Sequence, residues 1–128
     1  MLTGGYLQYR TVATQTGSPG ELVVTLYQAA IRNIGQGRTA IEYQKPLLAH
    51  SHLMKAQEIV RTLQQTLDFQ KGGELAPLLN DIYGFVLGRL VLANINKDVA
   101  PIDEVLPLLR QLLAAWQSAV RQSTKRAS

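Results

Sequence analysis

The sequence predicts an all-α protein, an antiparallel four-helix bundle with an irregular N-terminal segment packing on the bundle. Three observations carry that expectation. Apolar residues recur at steps of three and four in four separate stretches, which is the period of one helix face. The stretches are divided by short Pro- and Gly-marked connections, and short links place sequence neighbours side by side and antiparallel. No stretch alternates with the period of two that a half-buried strand needs. At 128 residues the chain is expected to form a single domain, residues 1–128, large enough to bury a core without a disulfide or a metal.

Residues 1–17 are mostly small and polar, with Tyr6, Leu7, Tyr9 and Val12 among their bulky apolar groups. Tyr6 and Tyr9, three apart, would share a face of one helical turn and could lie together on an apolar groove, so the segment is expected to dock rather than dangle. Ser18-Pro19-Gly20-Glu21 then has the form of a helix start: a serine cap, a proline in the first turn, and a glutamate three residues on that closes a capping box. Val23, Leu26, Tyr27, Ala30, Ile34 and Ile41 form the inward stripe. Gly35 and Gly37 mark either a softer half of this helix or a place of close approach.

Proline disfavours helical geometry in the residue before it, so the chain should turn near Gln44 to Pro46. A second helix is expected to run to about Phe69, with Leu53, Ala56, Val60, Leu63 and Leu67 as its seam and Met54 and Ile59 just off it. The stretch from Gly72 to Asp98 is the organising element. Leu75, Leu79, Ile82, Val86, Leu90 and Ala93 make one apolar row, and Leu78, Tyr83, Leu87, Val91 and Asn94 make a second beside it. That arc is wider than the roughly 100° a helix needs to dock on one surface, so cover on two sides is expected. Pro77 falls in its first turn, where no hydrogen bond is lost. The last helix should start near Asp103 as cap, with Pro107 in its first turn; Leu106, Leu109, Leu113, Trp116 and Val120 face inward. Residues 121–128 are expected to form a disordered basic tail.

Composition narrows function. The chain has no cysteine, which excludes a disulfide scaffold, a thiolate metal site and cysteine catalysis. The net charge is +4, but Arg121, Lys125 and Arg126 sit in the last eight residues, and the remainder holds ten basic against nine acidic side chains. Near balance is not a phosphate-binding field, so no nucleic-acid partner is expected. The start of the sequence lacks the basic and apolar regions of a signal peptide. Apolar runs are interrupted by Arg, Asn or Pro before the ~18–20 residues a bilayer requires, so no membrane insertion is expected. His50 and His52, two apart, fall on different faces of a helix and cannot clamp one ion, and no Glu-x-x-His repeat of a di-iron bundle occurs. Asp68 and Glu74 stand at helix ends, where carboxylates cap and solvate turns. No catalytic residue, metal site or cofactor is predicted.

Several short motifs, in order and across nearly the whole chain, resemble the FliS family. They are Tyr9, Thr16, Ser18 and Pro19; Leu26-Tyr27; Lys55-Ala56-Gln57; Leu67-Asp68; Gly72 to Ala76; Tyr83; Arg89-Leu90; Ala93-Asn94; and Trp116. Thr14, Gly17 and Gln28 depart from the family pattern. The resemblance implies a cytoplasmic chaperone for flagellin. Such a protein binds the disordered C-terminal segment of flagellin in an apolar groove, prevents premature polymerisation and assists delivery to the flagellar type III export apparatus, with the export gate as a further partner. It also implies that residues 1–17 act as a lid through Tyr6 and Tyr9, and that Lys55, Gln57, Tyr83 and Asn94 lie at or near the client-binding groove. The wide apolar arc of the central helix, with Met54 and Ile59, gives such a groove physical means. Two other readings use the same residues. One is a structural or adaptor bundle that pairs with itself as a weak homodimer, and the other is a small-ligand bundle using tyrosine hydroxyls and Asn94.

Overall fold

The computed structural model describes residues 19–127 as four helices with no strand among them. They are α1 (Pro19–Glu42), α2 (Pro46–Gln65), α3 (Leu75–Asn96) and α4 (Ala100–Ala127). Each helix packs on its neighbours in sequence, and α4 closes the ring against α1. The diagonal pairs, α1 with α3 and α2 with α4, do not approach along their backbones. This is the expected four-helix bundle. Residues 1–17, with Tyr6, Tyr9 and the proposed docking, and the Ser18 cap lie outside the described residues.

The links follow from local chemistry. After α1, Gln44 takes φ 57° and the Lys45 N–H donates to the Ala40 carbonyl at 2.8 Å, which closes the turn before Pro46 opens α2. Beyond α2, Asp68 Oδ1 accepts the N–H groups of Gln70 and Lys71 at 3.0 Å each, the turn-capping role expected of it. Gly73 follows at φ 55°, where other residues are strained. α3 ends on Lys97 in the left-handed region, with the Asp98 N–H returning to the Ala93 carbonyl at 3.1 Å.

The last helix corrects the sequence in two places. It begins at Ala100, because Asp98 Oδ1 accepts the Ala100 N–H at 3.0 Å and Pro101 occupies the first turn. Asp103 is therefore no cap. Its carboxylate instead takes a two-pronged hydrogen bond from Arg38 of α1, at 2.7 and 3.1 Å, and Pro107 lies inside the helix at an exposed position. The expected irregular tail is also helical as far as Ala127. Gln, Lys, Arg and Ala are sound helix formers, so the helix can outlast its apolar face.

The core is built from Leu26, Tyr27 and Ile34 of α1, Leu53, Ile59 and Leu63 of α2, Val86 and Leu90 of α3, and Ile102 and Leu109 of α4. Of the two off-seam residues on α2, Ile59 is core and Met54 is exposed. Gly37 is a close approach: a Cβ there would sit 2.9 Å from the buried Leu53 side chain.

Candidate functional site

α3 has the two neighbours that its apolar arc led us to expect, yet they leave part of that arc uncovered. Its inner side packs on α2 and α4, while its outer side carries Leu75, Leu78, Phe85, Val91, Leu92 and Ile95 into solvent. Leu78, Phe85 and Leu92 are seven apart, so they lie almost in line along the axis. The exposed residues from Leu75 to Ile95 span about 30 Å of helix. Ile95 is 74% exposed and Phe85 45%, whereas Leu90 is fully buried. A Cβ at Gly84 or Gly88 would meet nothing within 4 Å, so the middle of this face is bare backbone flanked by apolar side chains.

Across the seam with α4, the strip continues into an apolar cleft of about 220 Å³ lined by Leu75, Leu79, Leu112, Ala115, Trp116 and Ala119. On α2, Leu47 and Met54 add exposed apolar side chains. Polar groups mark the strip's edge: the Arg89 guanidinium lies 5.4 Å from the Phe85 ring centre and 3.6 Å from Glu104 of α4. α3 is also long and apolar enough to cross a membrane by length and composition alone. The sequence reading missed this because it took Arg, Asn and Pro, here Pro77, Asn80 and Arg89, as interruptions. In the bundle, part of that apolarity is core and part is the strip.

The residues singled out by resemblance are not gathered on this strip. Tyr83 is 1% exposed, and its hydroxyl lies 2.7 Å from that of Tyr27, with the rings edge to face at 6.2 Å. The hydrogen bond between the two hydroxyls joins α1 and α3 through the core. Burial pushes both phenols above their ordinary range. This tie crosses the diagonal of the bundle, where backbones do not meet. Lys55 is exposed and Gln57, two residues on, is buried.

Asn94 is buried at the α2–α3 seam, where its Nδ2 donates to His50 Nδ1 at 3.0 Å and its Oδ1 accepts from Lys97 Nζ at 2.8 Å. His52 instead meets Asn33 of α1: Asn33 Nδ2 donates to the Ala29 carbonyl, leaving Oδ1 to accept from His52 Nδ1 at 3.2 Å. The two histidines thus serve opposite helix seams. No group of three metal-ligating side chains occurs among the described residues.

Phe85, Leu92 and Ile95 were missed in the sequence. The signal available was a helix apolar on nearly every side with only two neighbours to cover it.

Comparison with known proteins gives this surface a context. The chain matches the family model described as "Flagellar protein FliS" over residues 2–123. It is 32% identical over 113 residues to the flagellar secretion chaperone FliSB of Pseudomonas aeruginosa, covering 85% of this chain and 90% of that one. It is 31% identical over 120 residues to the flagellar secretion chaperone FliS of Bacillus subtilis, covering 94% and 89%. The corresponding chaperone of Salmonella typhimurium is 32% identical over 106 residues, covering 82% and 78%. An apolar strip that its own bundle leaves open is what a secretion chaperone offers to another protein; matched from residue 2 to residue 123, the chain belongs to the FliS family of flagellar secretion chaperones.

Proposed function

We propose that the chain is a cytoplasmic export chaperone, without catalytic activity, that binds the disordered C-terminal segment of flagellin on the outer face of α3. The observation that carries this reading is the 30 Å-scale exposed apolar strip, which the bundle itself does not use. A disordered segment that folds into an amphipathic helix can lay its apolar side along such a strip, and the area removed from water offsets the entropy lost on ordering. Covering the client in this way withholds it from premature polymerisation until delivery to the export apparatus. In this reading residues 1–17 are a lid that rests on the strip through Tyr6 and Tyr9 and yields to the client. Lys55 lies at the groove's margin, and Gln57, Tyr83 and Asn94 act from beneath it by fixing how α2 and α3 sit.

Titration calorimetry with a peptide covering about the last forty residues of a cognate flagellin tests this. A one-to-one isotherm with strongly negative ΔCp is expected, because folding onto the strip buries apolar surface. Replacing Tyr6 and Tyr9 by alanine should shift the affinity, and no shift would remove the lid. An absence of heat across a range of temperatures would sink the flagellin reading. A stable dimer in sedimentation of the client-free protein would then favour the self-associating bundle.

A further inference from the structure

A second surface, diagonal to the strip, has a different chemistry. A cleft of about 520 Å³ runs along α1 where α2 and α4 flank it, and no residue of α3 lines it. Its apolar wall includes Ile31, Tyr43 and Leu48, and its cations are Arg32, Lys45 and Arg110. No acidic side chain lines it. None of the three cations takes part in an ion pair among the described residues. Of the acidic groups on α1 and α4, Glu42 and Asp103 are both held by Arg38, and Glu104 is paired with Arg89. The cleft is a trough rather than an enclosed cavity, since Tyr43, Leu48, Arg32 and Arg110 are all exposed. At Gly35 a Cβ would meet nothing within 4 Å, so the helix backbone lies open there.

We propose that this trough is a second docking site, which takes a short acidic, amphipathic segment of a partner protein while α3 is engaged elsewhere. Apolar side chains of the partner would lie against Ile31 and Leu48, and its carboxylates would meet Arg32, Lys45 and Arg110. Charge complementarity selects this occupant. The chain's own N-terminal eighteen residues hold Arg10 and no acidic residue, and its last eight are basic, so neither end is a match. The site does not depend on the client of α3 being flagellin. Because the trough and the strip share no residue, both can be filled at once.

The test uses the full chain, labelled with ¹⁵N, and a synthetic helical peptide of about fourteen residues, roughly 20 Å long, with leucines on one face and glutamates beside them. The same peptide with lysine for glutamate is the control. The glutamate peptide should shift the amide signals of Gly35, Thr39 and Tyr43 and leave those of Gly84 and Gly88 in place, and the lysine peptide should not. Gly35→Leu places a side chain in the trough, and its Cβ has no neighbour within 4 Å. It should weaken binding by about tenfold or more while the melting temperature stays level or rises, because leucine is the better helix former. The double reversal Arg32→Glu with Arg110→Glu should weaken the glutamate peptide to a similar extent. Equal binding of both peptides, shifts confined to α3, or full binding to folded Gly35→Leu would each overturn the proposal.

Discussion

Replacing Ile95 by glutamine separates binding from folding. Ile95 lies five residues beyond Leu90 on the same helix, yet 74% of it is exposed and Leu90 is fully buried. Complete burial of an isoleucine side chain is worth about 1.5–3 kcal/mol, so three quarters of that, about 1–2 kcal/mol, is still to be gained when a client covers it. Ile95→Gln should therefore weaken the chaperone–client complex by roughly five- to thirtyfold. Stability should change by less than about 0.5 kcal/mol, as at other exposed positions. Leu90→Ala, by contrast, should cost about 2–5 kcal/mol of stability through the cavity it leaves. Calorimetric titration with the flagellin peptide reads the first effect and urea denaturation the second. An affinity within twofold of the parent would show that the C-terminal end of the strip is not part of the client surface. A collapse in the denaturation midpoint would show that Ile95 is structural.

Three further outcomes follow from the packing. Gly37→Ala should destabilise the bundle by about 1–3 kcal/mol, because the new Cβ strikes buried Leu53, whereas Gly35→Ala should stabilise α1 by about 0.5–1 kcal/mol; denaturant midpoints moving the same way would contradict the geometry. Tyr27→Phe and Tyr83→Phe each leave the other buried hydroxyl without its partner, and each should cost about 1–3 kcal/mol. The double replacement should cost less than the sum of the two single ones, because both unpaired hydroxyls are gone; strict additivity in thermal melts would contradict the pairing. Burial raises both phenols above the ordinary value of 10.0, so the folded state keeps protons that the unfolded chain releases. Stability should be level below about pH 10 and fall as pH rises beyond it, by about 1.4 kcal/mol per pH unit for each phenol. Tyrosinate absorbance that shows all five tyrosines ionising together below the alkaline unfolding transition would refute this.

The bundle was legible because its signals are local. The seam of α2, the proline at its start and the inward stripe of α1 each depend on residues within a few turns of one another. The start of α4 was misread because Pro101 and Pro107 are both acceptable in a first turn, and what decides between them is the Asp98 side chain capping Ala100. The apolar excess of α3 could be read from its two rows, but not which residues would be left outside. That depends on how many helices surround it. Tyr83 and Asn94 stood out by resemblance, and their positions in the core and at the α2–α3 seam come from partners 56 and 44 residues away, beyond the reach of periodicity. The trough beside Gly35 draws on three helices and left no mark in any one of them.

Gly84 and Gly88 set how near a visiting helix can come. Two helices usually pack with their axes 8–10 Å apart, the separation being fixed by the side chains caught between them. One turn apart on the outer face, these glycines put no side chain in that gap, so contact there sits at the short end of the range. Leu78, Phe85 and Leu92 along one side and Val91 and Ile95 along the other then act as shoulders. A partner helix can seat a large side chain in the saddle between them, and its crossing point on α3 is fixed before any polar group is engaged.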